Sequence, residues 1–364
     1  MYGRKVIAGS NPAPSAFTRR SPEGEGGLRR VSAGAVHSIK FMHYRTLGKT
    51  GWKVSALGHG MWGMGSWTGS DDKESLEALH RSVELGVNFF DTAWVYGNGH
   101  SEQLLGKLLK SYPNKRLYTA TKIPPKSFRY PMKPEYKLNE EYPSEHIVEY
   151  TKKSLKNLGL DKLDLVLLHG WDDVWADEEA WQKAVQDLKR KGLIQAFGIS
   201  IDRWEPENAI KAIHTGFIDV VEVIYNIFDQ APEDTLFPVC RELNVGVIAR
   251  VPFDEGTLTG ALRLDSHWPD GDWRNLYFNP ENLKASVEQA ELLKKLLSKD
   301  MSLSELALRF ILSNSDVSTI IPGMRKAKNV DANVLASEKG ALSSELITTL
   351  RGHRWDRKPT PSAG

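Results

Sequence analysis

The chain has 364 residues, of which 40% are hydrophobic and 26% are charged, and this globular composition excludes a fully disordered protein. Its 48 basic and 46 acidic residues leave a net charge of +2, so we predict no nucleic-acid partner and no anionic membrane partner. The single cysteine, Cys240, excludes a disulfide within the chain and fits the reducing cytoplasm, which is the location we predict. The apolar runs are far shorter than the roughly 18 residues that span a bilayer, and the histidine spacing excludes an H-E-x-x-H zinc site, so no metal is predicted.

The first 40 residues differ in composition from the rest of the chain. They contain seven basic and two acidic residues, are rich in Gly, Ser and Pro, and show no apolar period. We therefore predict that residues 1–41 form a disordered extension. A transit segment, a partner-binding arm and a gene-start error are the alternatives, and we favour the last because structured sequence begins directly after Met42.

From His43 onward, strand and helix signals alternate regularly. Residues 44–55 predict a short hairpin with Gly48 and Gly51 in its turn. Eight apolar runs then predict strands at 56–60, 87–91, 117–122, 163–169, 196–200, 220–223, 246–249 and 318–321. Helical periods follow these strands at 73–85, 101–110, 144–158, 178–191, 206–215, 233–243 and 326–336, and residues 281–313 hold two extra helical stretches before the eighth strand. This α/β pattern predicts a (β/α)8 TIM barrel over residues 42–352, followed by a tail at 353–364.

Chemistry in such a barrel lies at the carboxyl ends of the strands. Asp91 ends the second predicted strand, Lys122 the third and His169 the fourth, and Tyr96 follows Asp91 in a Gly-rich turn. A tyrosine, whose ordinary pKa is about 10, needs a nearby positive charge to donate a proton near neutral pH, and Lys122 supplies that charge. Asp91 can be the counterion of Lys122, and His169 can hydrogen-bond the same reacting oxygen. Taken singly each side chain fits a structural role, but together they predict protonation of a carbonyl oxygen as it becomes an alkoxide.

Asp91, Tyr96, Lys122 and His169, with the string DTAWVYGNGHSEQLLG that begins at Asp91, resemble the catalytic tetrad and signature of the aldo-keto reductase family. The resemblance covers nearly all of residues 42–340. It implies a barrel that binds NADP(H) without a Rossmann domain and passes hydride to a small-molecule carbonyl substrate, an aldehyde or a ketone. It also implies that Tyr96 is the general acid, that Lys122 and Asp91 tune it, and that His169 orients the substrate.

The resemblance extends to the cofactor. In the family, the segment from the eighth strand into the next helix holds the adenosine 2′-phosphate, and the corresponding residues here are Gly323, Arg325, Asn329 and Asn333. A helix N-terminus and an arginine both favour phosphate, so Arg325, helped by Lys326 or Lys328, is predicted to select NADP over NAD.

Three other strand ends match positions that contact the nicotinamide in the family. Ser200 matches a residue near the carboxamide, and Glu222 stands where the family often has Gln. Arg250, with Pro252 two residues later, stands where many members stack an aromatic ring, and a planar guanidinium can stack in its place.

Tryptophans in the predicted loops indicate an apolar, aromatic-walled substrate pocket. Trp62, Trp94 and Trp171 follow the first, second and fourth strands, and Trp273 lies in a long segment after the seventh strand that is expected to close over the cofactor.

A different function remains as an alternative to the enzyme. It is a cofactor-binding regulatory subunit that resembles the potassium-channel beta subunits and turns over slowly. The complete tetrad favours the enzyme, and the sequence leaves the natural carbonyl, the physiological direction and the oligomeric state undetermined.

Overall fold

The computed structural model describes residues 42–65, 69–202 and 205–356. The predictions for residues 1–41 and for residues 357–364 lie outside the described residues. The described chain begins with the predicted hairpin, in which β1 (Tyr44–Thr46) pairs antiparallel with β2 (Lys53–Ser55). The Lys49 amide donates to the carbonyl of Asn244, two residues before the seventh barrel strand, at 2.6 Å. The hairpin therefore covers the amino-terminal end of the barrel.

Eight parallel strands follow one another around the barrel in sequence order. They are β3 (His59–Gly60), β4 (Phe89–Asp91), β5 (Tyr118–Ile123), β6 (Leu163–His169), β7 (Ile194–Ser200), β8 (Val220–Ile224), β9 (Gly246–Arg250) and β10 (Thr319–Ile320). The amides of Gly58 and Gly60 donate to the carbonyls of Ile320 and Pro322, at 2.7 and 3.0 Å, and so join the first strand to the last. The predicted (β/α)8 barrel is confirmed.

Helices occupy the intervals between the strands, and two more follow the last strand. They are α1 (Asp72–Glu84), α2 (His100–Ser111), α3 (Leu138–Glu141), α4 (Ser144–Leu158), α5 (Glu179–Arg190), α6 (Ile210–His214), α7 (Leu236–Glu242), α8 (Arg274–Tyr277), α9 (Pro280–Lys294), α10 (Leu303–Ser313), α11 (Ala327–Glu338) and α12 (Ser344–Arg351). The two extra helical stretches before the last strand are α9 and α10, as predicted. Across the described ranges, no helix is long and apolar enough to cross a membrane.

Helix α7 begins three residues later than predicted. Ala231–Glu233 forms a separate 3-10 turn, and the helix starts at Leu236. Pro238 lies in its first turn, where a missing N–H group removes no intrahelical hydrogen bond.

Candidate active site

Because side chains alternate between the two faces of each strand, several polar side chains lie together in one layer of the barrel interior. The barrel interior is filled by a buried cluster that includes Phe89, Ala120, Leu167, Val220 and Ile248. Two residues further along the same strands stand Asp91, Lys122, His169, Glu222 and Arg250. Because residues i and i+2 of a strand share a face, these five side chains point into the carboxyl-terminal mouth of the barrel. Ser200 joins them, since it pairs in register with His169 on one side and Glu222 on the other.

Lys122 lies at the centre of this layer and is fully buried. Its ammonium donates to both carboxylate oxygens of Asp91, at 2.6 and 2.8 Å, and to the carbonyl of Thr92 at 3.1 Å. A second carboxylate approaches from the other side, with Glu222 Oε2 at 3.2 Å from Nζ. Lys122 thus has the predicted counterion, Asp91, and one that the sequence did not reveal.

Burial and the second carboxylate set the protonation of this cluster. Burial raises the pKa of Asp91 well above its ordinary value, Glu222 adds to the rise, and Lys122 opposes it. For Lys122, burial acts to lower the pKa, but the carboxylates of Asp91 and Glu222 outweigh burial and raise it. Lys122 is therefore protonated at neutral pH in this site.

Tyr96 reaches the layer from the turn that follows β4. Gly97 and Gly99 have positive φ angles of 67° and 93°, which let the chain turn back toward the barrel. The Tyr96 ring has Lys122 Nζ at 5.4 Å from its centroid and the His169 ring edge-on at 5.9 Å. Tyr96, Lys122 and His169 therefore lie together, as the sequence predicted that they would.

The acidity of Tyr96 differs from the sequence prediction. Its pKa is raised to about 12 as the net effect of burial, which is the largest cause, of Lys122 and Arg250, which lower it, and of Asp91 and Glu222, which raise it. The prediction that Lys122 makes the phenol more acidic has the correct direction. The pKa of Tyr96 nevertheless lies above its ordinary value, because the loss of hydration of a phenolate in a buried site outweighs the attraction of one cation.

His169 is a neutral imidazole. Burial lowers its pKa well below the ordinary value, and the charges of Lys122 and Arg250 lower it further. Its Nδ1 is buried and has no hydrogen-bond partner among the described atoms. A neutral imidazole keeps one N–H donor, which can hydrogen-bond a carbonyl oxygen in the cavity.

A cavity of about 630 Å³ opens over these side chains, which is within the range of small-molecule sites. Of the predicted site residues, its walls contain Asp91, Tyr96, His169, Ser200, Glu222, Arg250, Pro252, Gly323, Arg325, Asn329 and Trp62. The rings of Trp62 and Trp273, from the loops after β3 and β9, lie 5.3 Å apart at the cavity wall.

The other two predicted pocket tryptophans lie elsewhere. Trp171 is fully buried against Trp175 and Trp181, and its indole N–H donates to Asp173 at 2.9 Å. Trp94 packs edge-on against Tyr150, with their ring centroids 4.8 Å apart. Neither ring is part of the described cavity wall, because the backbone after β4 and β6 turns both rings toward the surrounding helices. Loop position alone does not determine the direction of a side chain.

Tyr130 and Asp202 are among the residues of the cavity wall that sequence reasoning missed. Asp202 follows Ser200 by two residues, and continuing the strand alternation would have found it. It accepts a hydrogen bond from the Met132 amide at 2.9 Å, and burial raises its pKa to about 6. Tyr130 lies beside Met132 in a Pro-rich loop without periodicity, and its ring packs 5.2 Å from that of His169. No local sequence signal reveals such a residue.

A family model agrees with this geometry. The model described as the aldo/keto reductase family matches residues 56–354. The chain belongs to the aldo-keto reductase family.

Three curated relatives show the range of this family. The NADH-specific methylglyoxal reductase of Escherichia coli is 28% identical over 303 residues, covering 80% of this chain and 92% of the relative. The aldo-keto reductase yakc of Schizosaccharomyces pombe, which is named as an NADP(+) enzyme, is 28% identical over 312 residues, covering 82% and 88%. A probable voltage-gated potassium channel subunit beta of Arabidopsis thaliana is 29% identical over 323 residues, covering 84% and 94%.

A solved structure also matches. The holo form of aldo-keto reductase AKR11C1 from Bacillus halodurans superposes with a TM-score of 0.68 at 28% identity, covering 89% of this chain and all of that one. Family membership makes this chain an oxidoreductase that uses a nicotinamide cofactor.

In this aldo-keto reductase, the loop from β10 to α11 contributes one basic side chain to the cavity. Arg325 lines the cavity, whereas Lys326 is the N-cap residue of α11 and its ammonium lies 3.2 Å from the carboxylate of Glu74. Asn333 is buried further along α11 and is not part of the described cavity wall. The predicted phosphate-binding role therefore rests on Arg325 and Asn329.

Proposed function

We propose that this protein is an NADP(H)-dependent reductase of aldehydes or ketones, with Tyr96 as the general acid. The observation that carries the proposal is the contact of one phenol with a buried cation and a neutral imidazole: Lys122 Nζ lies 5.4 Å from the Tyr96 ring centroid and the His169 ring 5.9 Å from it. All three side chains lie at or directly beneath the cavity that would admit a substrate.

The residues along the cavity fit a dinucleotide. At the inner end, Ser200 supplies a hydroxyl, and Arg250 supplies a guanidinium that is anchored by a hydrogen bond to the carbonyl of Ile201 at 3.0 Å. Arg250 Nε is a buried polar atom without a hydrogen-bond partner in the described structure, as expected of a group that contacts a ligand. At the outer end, Arg325 supports NADPH over NADH because only NADPH carries the 2′-phosphate. The two reductases among the relatives differ in cofactor, so Arg325 carries this part of the proposal.

The proposed roles follow from charge. A reduced nicotinamide supplies the hydride, which places negative charge on the substrate oxygen. His169, being neutral, donates a hydrogen bond to that oxygen, and Tyr96 donates the proton that converts it to an alcohol. Lys122 stabilises the phenolate that remains, and Asp91 keeps Lys122 charged in the buried site.

The test is an absorbance assay of NADPH oxidation with aldehydes, ketones and quinones. Tyr96→Phe should lower single-turnover hydride transfer by about a hundredfold or more with the cofactor saturated, since a positioned acid contributes about 10²–10⁴ in rate. Tyr130→Phe is the matched control, because its ring also packs against His169 and also lines the cavity. If the Tyr96 variant keeps its rate within a few-fold while the Tyr130 variant loses it, Tyr130 is the acid.

A regulatory role is the second candidate, and the potassium channel subunit relative favours it. It requires a channel partner and slow turnover. Rapid steady-state reduction of a carbonyl substrate would support the enzyme, whereas slow turnover with every substrate class, together with copurification of a channel, would support the regulatory subunit.

A further inference from the structure

Glu222 contacts both cations of the active site. Its Oε2 lies 3.2 Å from Lys122 Nζ, and its Oε1 lies 4.0 Å from Arg250 Nε. Ser200 donates a hydrogen bond to the same Oε1 at 3.3 Å. The side chain is 2% exposed, so these contacts take the place of water around its charge.

The arrangement has one carboxylate more than a buried lysine needs. Asp91 already pairs with Lys122 through both of its oxygens. A further buried carboxylate is costly unless other groups compensate its charge, and Arg250 supplies the compensating cation. Two carboxylates and two cations therefore form one buried cluster around Tyr96.

We propose that Glu222 is a positioning residue of the reaction: it is a second counterion of Lys122, shared with Arg250, and it acts through Lys122 on Tyr96. The inference rests on the proposed role of Tyr96 as the acid. By attracting the Lys122 ammonium, Glu222 weakens the stabilisation that Lys122 gives to a phenolate. Tyr96 then keeps its proton to higher pH, and reduction, which needs the protonated phenol, continues to higher pH.

The charged groups around Tyr96 are consistent with Glu222 raising the pKa of its phenol. Lys122 and Arg250 favour the phenolate, and Asp91 and Glu222 disfavour it. His169 is neutral. Tyr130, from the loop after β5, is a further titratable neighbour, and burial raises the pKa of its phenol as well. The carboxylate of Glu222 is therefore the charge whose removal acts on Tyr96 while the Asp91–Lys122 pair stays in place.

The first experiment is a pH profile. Single-turnover reduction and oxidation are followed after pH jumps in the parent protein, in Glu222→Gln and in Glu222→Asp. In the Gln variant, the pH at which reduction falls and oxidation rises should move down by about one unit, the size expected for one neighbouring charge. The Asp variant keeps the negative charge, so its pH profile should be closer to that of the parent than the profile of the Gln variant is. An unmoved profile in Glu222→Gln overturns the inference.

The second experiment needs neither cofactor nor substrate. Urea denaturation is measured at pH 8 for Asp91→Asn, for Glu222→Gln and for the double variant. Each single variant leaves Lys122 with one carboxylate and the double variant leaves it with none, so the double loss of stability should exceed the sum of the single losses. A double variant that does not fold, where both single variants do, is the extreme form of this result.

The control cycle combines Asp91→Asn with Asp164→Asn. Asp164 is a buried carboxylate near the start of β6, at the opposite end of the barrel, where it pairs with Arg116 at 2.6 Å. Losses in this control should add. If the stability losses of Asp91→Asn and Glu222→Gln are additive, the inference is overturned, whether or not the protein reduces carbonyls. If they are not additive but the protein reduces no carbonyl, only the proposed function is refuted. If Asp91→Asn does not fold, the pH profile of Glu222→Gln decides.

Discussion

Replacing Lys122 by methionine tests the buried charge cluster directly. Methionine keeps the length and most of the volume of the side chain but removes its charge. Asp91 and Glu222, whose side chains are 3% and 2% exposed, then remain buried without their cation. Removing one partner of a buried ion pair costs roughly 3–5 kcal/mol, because the remaining charge is neither hydrated nor paired.

The loss of stability in Lys122→Met should be larger at high pH than at low pH. The pKa of Asp91 is already raised in the folded protein, and without Lys122, which opposes that rise, it is raised further. A carboxyl group whose pKa is raised in the folded protein keeps its proton at pH values where the unfolded chain has already lost it. The stability of the folded protein is therefore highest below the unfolded pKa of about 4, and it falls as the pH rises toward the folded pKa. Each pH unit in this window changes the free energy of unfolding by about 1.4 kcal/mol per proton.

The assay is urea denaturation followed by tryptophan fluorescence at pH 5 and at pH 8. Lys122→Met should lose roughly 3–5 kcal/mol relative to the parent at pH 8 and clearly less at pH 5. Lys137→Met is the control, since the Lys137 side chain is 72% exposed and such surface changes usually stay within about 0.5 kcal/mol. A Lys122 variant as stable as this control at pH 8, or one that loses as much at pH 5 as at pH 8, would refute the reasoning.

Three further predictions concern the cofactor, the backbone and the hairpin. Arg325→Ala should weaken NADPH binding about tenfold or more and leave NADH nearly unchanged in fluorescence titrations, because a charge-assisted hydrogen bond contributes about 1.5–3 kcal/mol; equal losses would contradict its role. Val251 is β-branched and has a φ of 53°, so Val251→Gly should raise the free energy of unfolding by up to about 1 kcal/mol, whereas Val251→Ala should bring no such gain. Leu47→Ala should cost about 2–5 kcal/mol in denaturation experiments, since Leu47 is fully buried in the barrel interior, and Leu264→Ala, at a site 67% exposed, should cost little.

The sequence by itself determined the barrel and the positions of most site residues. Eight apolar runs with intervening helical periods are local signals, and each can be read without knowledge of its neighbours. The same is true of the polar residues that end β4, β5 and β6, because a parallel barrel brings all strand ends to one mouth. Asp91, Lys122 and His169 were therefore predictable as a group.

Only the tertiary structure decided what those side chains contact. Glu222 and Lys122 are separated by 100 positions in the sequence, and their 3.2 Å contact follows from the way the strands close around a common interior. The Trp171 side chain is buried in the core and the Trp62 side chain lies at the cavity wall, although both residues follow barrel strands. The pKa of Tyr96 depends on its burial and on every charge around it, and the closed barrel brings these charges close to the phenol. Local patterns determine which residues reach the mouth of the barrel, whereas distance and burial, which set the electrostatic energies, arise only from the packed fold.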